Sequence, residues 1–128
     1  MRILFDTHTL LWFLGDSPLL TQSARRLIAE AGGEVYFSTV SLEEISIKHS
    51  LKPELMPSDP AEVRVDALAS RLKELPFESA AAIEVGQLPW IHKDPFDRML
   101  IAQARTNGLV LLSHDENVLR YGEMTYRF

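Results

Sequence analysis

Two aspartates that flank a Pro-Phe pair stand at the predicted start of a helix. Asp94 and Asp97 lie in the stretch HKDPFDRMLIAQARTNG, residues 92–108. With Asp94 as N-cap and Pro95 as the first helical residue, the acids satisfy free backbone N–H groups and favour the positive end of the helix dipole. The stretch SDPAEV uses Asp59 in the same way. The pair is therefore either a helix cap or a pair of groups that do chemistry.

Further carboxylates follow predicted strands. Asp6 directly ends the apolar run RILFD, Asp115 comes two residues after LVLLS, and Glu44 lies in a helix just beyond the second strand. An acid directly after a buried strand costs free energy unless it is paired or binds a metal. Because the active crevice of an open parallel sheet lies beyond the carboxyl ends of its strands, we expect these three acids to lie together.

Bringing the Asp94 and Asp97 turn to the same edge is expected to require a less regular connection than a simple crossover. If all five carboxylates meet, their mutual repulsion calls for bound cations. Ligand sets made only of oxygen select hard ions such as Mg²⁺ or Mn²⁺. Such ions activate water and stabilise displacement at a phosphodiester, so the acids predict metal-dependent phosphodiester hydrolysis.

Alternating strands and helices predict the scaffold that positions these acids. Strands are predicted at residues 2–5, in EVYFS, in LVLLS and, at an edge of the sheet, in EMTYRF, with a short one in LPFE. Helices are predicted around 10–14, over 20–31, and from Ser41, Ser79 and Asp94. This order predicts an α/β fold, a three-layer α/β/α sandwich with a mostly parallel sheet.

Two of the predicted helices rest on particular patterns. The first begins at Ser41, with Glu44 three residues on as a capping box and Val40 against Ile45 as a hydrophobic staple. The second is an amphipathic helix whose apolar face is formed by Ala61, Val65, Leu68, Leu72 and Leu75.

The composition sets the broad class of protein. The 128 residues are 46% hydrophobic, which suits a single domain over residues 1–128 with one core. No cysteine is present, so disulfides and thiolate metal sites are excluded. No apolar run of about 18 residues occurs and an acid stands at position 6, which predicts a soluble, cytoplasmic protein without a membrane partner. A net charge of −5 argues against broad electrostatic binding of nucleic acid.

Four stretches carry a resemblance to a known family. In this order and over nearly the whole chain they are LFDTHTLLW, STVSLEEISIK, HKDPFDRMLIAQA and LLSHD. Together they resemble the PIN-domain family, specifically the VapC-type toxins of toxin–antitoxin systems. The resemblance implies an endoribonuclease that depends on Mg²⁺ or Mn²⁺. Its acidic quartet falls on Asp6, Glu44, Asp97 and Asp115, and Asp94 is a fifth metal ligand or a helix cap.

The resemblance also implies partners. They are an RNA substrate, a cognate antitoxin that blocks the site, a second copy of the chain in a homodimer, and DNA only indirectly through the antitoxin. We expect the antitoxin to contact apolar surface around Ile45, Ile47 and Leu51. Five site carboxylates equal the whole net charge of −5, so a site loaded with divalent ions does not repel RNA.

The sequence departs from the family pattern at two places. Many relatives carry an aromatic residue where Glu43 stands, so either Glu43 or Glu44 faces the site, and the register favours Glu44. The further acid that some relatives carry is replaced by Asn117, which weakens a second metal site.

Other polar and aromatic residues are assigned by their surroundings in the sequence. Thr7 is expected to position Asp6, and Ser113 to bind a ligand carboxylate or satisfy the strand end. The histidines His8, His92 and His114 lack helical metal-ligand spacing and are interpreted as structural or rim residues. Trp12 and Trp90 are interpreted as core or interface residues. The candidates for phosphate contacts are Arg25, Arg26, Lys48, Lys52, Lys93 and Arg98, each with a solvated surface role as the alternative.

Three other function classes compete with an RNA nuclease. A signalling receiver domain needs a lysine after its last major strand, and here no lysine follows Lys93. A non-catalytic interaction module would use the acids only as caps, as the chain does at Asp59. A DNA-directed nuclease of related fold stays open, because a contact to the ribose 2′-hydroxyl is not visible in a sequence.

Overall fold

Five parallel strands form the centre of the molecule. The computed structural model describes residues 1–122 and 124–128. The sheet order is β3-β2-β1-β4-β5, all four neighbouring pairs are parallel, and the strands are β1 (Ile3–Phe5), β2 (Val35–Ser38), β3 (Lys73–Leu75), β4 (Val110–Ser113) and β5 (Thr125–Arg127). The predicted parallel sheet and its edge strand β5 are confirmed, although Glu123, the first residue of EMTYRF, lies outside the described residues.

Helices cover both faces of this sheet. They are α1 (Thr7–Leu14), α2 (Gln22–Glu30), α3 (Thr39–Leu51), α4 (Pro60–Ala69), α5 (Ser79–Val85), α6 (Pro95–Asn107) and α7 (Glu116–Leu119). Alternate strand residues face opposite ways: Ile3 and Phe5 belong to an apolar cluster with α1, α3 and α4, whereas Leu4 belongs to one with α5, α6 and α7. The predicted three-layer sandwich is therefore confirmed. Within the described residues, no helix has the length and apolarity that a bilayer span requires.

The connection through α6 brings its first turn to the carboxyl edge of the sheet. Gly108 ends α6 in a left-handed conformation (φ 64°), and β4 begins two residues later. The helix therefore runs back against β4, and its 13 residues span about 20 Å, more than the about 13 Å of the four-residue strand. The connection from β3 to β4 contains α5 and the non-helical residues 86–94 ahead of α6, so it is less regular than a simple crossover, as expected.

Helix α3 begins earlier than its sequence pattern predicts. Its N-cap is Ser38, whose Oγ accepts the N–H of Val40 at 2.9 Å, so the prediction of a start at Ser41 was wrong. The last residue of β2 caps the helix directly, and no loop separates the two elements. Glu44 consequently lies inside α3 and is not part of a capping box.

Helix α4 differs from its prediction in length and in the face that it buries. It ends at Ala69, where Ser70 is the C-cap and Arg71 takes a left-handed φ of 66°. Leu72 is buried beyond the helix, and Leu75 ends β3. The short strand predicted in LPFE, residues 75–78, therefore begins two residues earlier, at Lys73. The residues of α4 that pack against the core are Val63 and Ala67, whereas Val65 and Leu68 face outward. The helix thus has two apolar faces, and only the face with Val63 and Ala67 packs against the core.

Candidate metal centre

Five carboxylates line one cleft at the carboxyl ends of β1, β2 and β4. The cleft measures about 120 Å³, and its carboxylates are Asp6, Glu44, Asp94, Asp97 and Asp115. Thr7, His8, Lys48 and His92 complete the lining. The structure thus brings together every acid that the sequence marks as a candidate ligand.

Asp6 is held rigidly at the end of β1. It is 5% exposed and caps α1, since its Oδ1 accepts the N–H of Thr9 at 2.9 Å. Its Oδ2 accepts the hydroxyl of Ser113 at 2.6 Å. Burial raises the pKa of Asp6, and the hydrogen bonds from Ser113 and Thr9 counteract part of that rise. A carboxylate in this position gains from any cation that enters the cleft.

Glu44 is the glutamate of α3 that faces the cleft. It is buried, whereas Glu43 is exposed. The Thr7 hydroxyl donates to Glu44 Oε1 at 2.6 Å, and Lys48 Nζ lies 2.5 Å from Oε2. Thr7 therefore positions Glu44, and the expectation that it positions Asp6 was wrong.

Asp94 and Asp97 form the first turn of α6. Asp94 is the N-cap, and its Oδ1 accepts the N–H of Asp97 at 3.0 Å. Asp97 Oδ2 lies 2.8 Å from Nε2 of His92. Burial raises the pKa of Asp97 to about 6; the hydrogen bond to His92 opposes this rise, and repulsion from Asp94, Asp6 and Glu44 adds to it.

His92 belongs to the site, and the interpretation of all three histidines as structural or rim residues missed this. Ligand atoms of His92, Asp94 and Asp97 lie within 4.8 Å of one another. The backbone N–H of His92 donates to the Tyr121 hydroxyl at 3.1 Å, which anchors the segment before α6. Because that segment is not helical, helical periodicity cannot indicate that His92 is a site residue. The spacing H-x-D-x-x-D, formed by His92, Asp94 and Asp97, is the sequence signal that indicates it.

Asp115 lines the same cleft from the start of α7. Its Oδ1 accepts the N–H of Asn117 at 2.8 Å, so it caps a short helix that the sequence patterns did not predict. Its own N–H donates to Ser113 Oγ at 3.0 Å. One hydroxyl, that of Ser113, thus ties Asp115 to Asp6.

The donor set fits a divalent cation. Five carboxylates share the cleft with a single ammonium group, that of Lys48. The hydrogen bond that Lys48 donates to Glu44, together with the charges of Glu44, Asp94 and Asp97, raises the pKa of Lys48. The Lys48 ammonium group therefore neutralises part of the negative charge that a bound metal ion would neutralise. Oxygen donors with one imidazole suit Mg²⁺ or Mn²⁺.

The PIN-domain family model matches residues 3–124. The chain belongs to the PIN-domain family. Proteins of this family are generally nucleases, and its members typically use divalent metals. The acidic cleft of this PIN domain has the composition that such chemistry requires.

Solved structures of low sequence identity share the fold of this PIN domain. The DNA-bound VapBC of Salmonella typhimurium has a TM-score of 0.64 at 24% identity, covering 94% of this chain and 89% of that one. VapBC2 of Rickettsia felis, bound to a promoter fragment, has a TM-score of 0.69 at 13% identity and covers 100% and 99%. A toxin–antitoxin complex from Klebsiella pneumoniae has a TM-score of 0.65 at 16% identity and covers 98% and 99%. No curated protein sequence matches the chain significantly.

Two of the arginines proposed as phosphate contacts have structural roles in this PIN domain. Arg98 is 2% exposed, donates to the carbonyls of Val85 and Pro89 at 2.9 Å, and lies 3.8 Å from the Trp90 ring centre. Arg25 donates to the carbonyls of Ser17 and Leu20. The prediction that Arg98 contacts phosphate was wrong, because its guanidinium N–H groups donate to backbone carbonyls. Lys48 is the one candidate of the six that lines the cleft within residues 1–122 and 124–128.

The aromatic residues lie at the surface and at the rim. Trp90 is largely exposed and covers the buried guanidinium of Arg98, so it is not a core residue. Trp12 is half-buried and stacks on His8 with ring centres 5.9 Å apart. His114 binds the carbonyl of Phe128 through Nδ1 at 2.8 Å.

Proposed function

We propose that this PIN domain is an endoribonuclease that depends on Mg²⁺ or Mn²⁺ and serves as the toxin of a toxin–antitoxin system. One observation carries the proposal: five carboxylates, which follow β1 and β4, lie inside α3 and start α6, converge on a single cleft. Membership of a family of nucleases supports hydrolysis over a purely structural use of these acids. A non-catalytic module gains nothing from burying Asp6 and Glu44 beside three further acids.

We assign the cation ligands to Asp6, Glu44, Asp97 and Asp115, with Asp94 as a further ligand that also caps α6. A bound divalent ion supplies activation of water and neutralises charge that develops on the phosphate. The protein supplies preorganisation, because Thr7, Ser113 and His92 fix three of these carboxylates through hydrogen bonds. Because these three carboxylates are already held in place, they need little rearrangement to bind the ion.

The partners follow from the structural relatives and from the apolar surface. One relative is described as a toxin–antitoxin complex, and two others are described as VapBC proteins bound to DNA. We propose a cognate antitoxin, a homodimer, contact with DNA only through the antitoxin, and a single-domain cytoplasmic protein. Ile47 and Leu51 are exposed and suit the antitoxin contact, but Ile45 is fully buried and was wrongly included.

Cleavage of labelled strands tests the proposal. Purified protein is incubated with 5′-labelled single-stranded RNA and with DNA of the same sequence, with Mg²⁺, with Mn²⁺ or with EDTA. We expect cleavage of RNA only, only with metal, and at least a 100-fold loss in Asp6→Asn and Asp97→Asn variants whose folding is verified by thermal melting. Cleavage of DNA alone would make the protein a DNA-directed nuclease, and metal-independent cleavage would contradict the assigned chemistry.

A further inference from the structure

A second depression lies directly beside the acidic cleft. It measures about 360 Å³, and it is lined by His8, Lys48, Leu51, Lys52, Leu55 and Met56. His8 and Lys48 line both the depression and the cleft, so the two are continuous. A group bound in the depression is therefore a direct neighbour of a group bound in the cleft.

The floor of the depression is apolar and exposed. Leu51 is 74% exposed and Leu55 73%, so neither side chain gains much free energy from folding. Met56 is buried beneath them, and its carbonyl accepts a hydrogen bond from the His49 ring, with 2.8 Å between O and Nδ1. The N–H groups of Leu55 and Met56 both bond to the carbonyl of Lys52, which fixes the turn after α3. The floor is thus preformed.

The rim of the depression is cationic. Lys48 lies in the last turn of α3, and Lys52 is its C-cap, one helical turn further on. Lys48 pairs with Glu44, whereas Lys52 makes no ion pair with any carboxylate of residues 1–122 or 124–128. A favourable interaction with the helix dipole explains two lysines at this end of α3, but it does not explain the exposed leucines between and beside them.

We propose that this depression binds one nucleotide of the substrate strand, next to the position where the strand is cut. The base packs on Leu51, Leu55 and Met56, and the phosphate contacts Lys52, with Lys48 between this phosphate and the cleft. This inference rests on the proposed nuclease function. A phosphate-bearing strand is favoured over an apolar protein segment, because the lysine rim and the open junction with the cleft both match a polyanion that continues into it.

The chemistry of the floor also sets its selectivity. Leucine and methionine side chains offer no hydrogen-bond donor to a base edge and only a weak sulfur acceptor. Packing of the base on this floor therefore discriminates by the size of the base and not by its hydrogen-bonding pattern. We expect purines to bind more tightly than pyrimidines, because they bury more apolar surface.

Methyl NMR spectroscopy of the intact protein tests the inference without relying on catalysis. Protein with ¹³C-labelled Leu and Met methyl groups is titrated with AMP, with ribose 5-phosphate and with adenosine, each with Mg²⁺ present. AMP should shift the Leu51, Leu55 and Met56 methyl signals saturably and bind at least fivefold more tightly than either fragment. Lys52→Gln and Leu55→Ser should each weaken AMP binding at least threefold. Lys73→Gln and Ile83→Ser, which alter an exposed lysine and an exposed apolar residue away from the depression and the cleft, should leave AMP binding unchanged.

Two results would overturn the inference. One is the absence of AMP-dependent shifts at these methyl groups. The other is that these methyl signals shift with protein concentration and not with AMP, which would mean that a second copy of the chain binds the depression. Failure of the nuclease proposal gives a different pattern, with AMP bound at the depression but no metal-dependent cleavage of RNA. Cleavage without AMP-dependent shifts leaves the nuclease proposal intact and removes the subsite.

Discussion

The ammonium nitrogen of Lys48 lies 2.5 Å from Oε2 of Glu44, inside a cleft that also holds Asp94 and Asp97. The hydrogen bond that Lys48 donates to Glu44 raises the pKa of Lys48, and the charges of Glu44, Asp94 and Asp97 add to that rise. The Lys48 ammonium group thus binds Glu44, one of the carboxylates that we assign to the divalent ion. Entry of the ion must compete with this lysine.

Replacement of Lys48 by methionine should therefore strengthen metal binding. The variant removes a positive charge and a competing partner of Glu44. We expect Mn²⁺ to bind about 3- to 10-fold more tightly, measured by calorimetric titration. Lys73→Met is the matched control, because Lys73 pairs with Glu34 at 3.1 Å in an exposed position away from the cleft. Unchanged or weaker Mn²⁺ binding by Lys48→Met would show that the lysine does not compete with the ion.

Substitutions of Asp94 separate its role as a cap from its role as a ligand. Asparagine caps helices about as well as aspartate, so Asp94→Asn should keep its melting temperature but bind Mn²⁺ several-fold more weakly. Asp94→Ala should in addition lose about 1 kcal/mol of stability. Asp59→Ala removes the equivalent cap of α4 and should lose similar stability without any change in Mn²⁺ affinity. Equal Mn²⁺ affinity of Asp94→Asn and wild type would leave Asp94 as a cap alone.

The raised pKa of Asp97 predicts how stability depends on pH in the absence of metal. The folded pKa is about 6 and the ordinary value is 3.8, so the folded state holds this proton more tightly. Stability from this group is present below about pH 4 and is lost as the pH rises through 6. Asp97→Asn should therefore exceed wild type in free energy of unfolding by about 3 kcal/mol at pH 7 in EDTA, and the difference should nearly disappear near pH 4. Urea unfolding over pH 4–8 measures this, with the exposed Asp66→Asn as control; a constant difference across the range would contradict it.

Arg98 should prove to be a structural residue. Its guanidinium donates to the carbonyls of Val85 and Pro89 and to the Tyr121 hydroxyl, in a fork geometry that lysine cannot reproduce. Arg98→Lys should lose about 3 kcal/mol, because it leaves buried acceptors without donors. Arg105→Lys changes an exposed ion pair with Glu84 and should stay within about 0.5 kcal/mol of wild type by urea unfolding. A stable Arg98→Lys variant with impaired RNA cleavage would restore Arg98 as a phosphate contact.

The acids at the strand ends were predictable from sequence because the local signal was unambiguous. The buried run before Asp6 and the run LVLLS before Asp115 permit only a strand, and parallel strands share their carboxyl edge. The first turn of α6 was also predictable, since a cap, a proline and a second acid all indicate one start.

The failures occurred where tertiary contacts decide between local alternatives. Ser38 and Ser41 are both good N-caps, and the direct junction of β2 with α3 selects Ser38. In α4 the pairs Val63 with Ala67 and Val65 with Leu68 each fit a helical face, and packing against Met56 and Leu72 selects the first. His92 lies in a segment without regular structure, where no periodicity indicates which way a side chain points.

The most direct test of the central claim is a calorimetric Mn²⁺ titration of the wild-type protein beside Asp6→Asn and Asp97→Asn. Each variant is first verified as folded by thermal melting. We predict saturable Mn²⁺ binding by the wild type, and its loss in both folded variants, because Asp6 and Asp97, which are 91 residues apart in the sequence, contribute charge to one site. Undiminished Mn²⁺ binding by either folded variant, or none by the wild type, would contradict a shared metal centre.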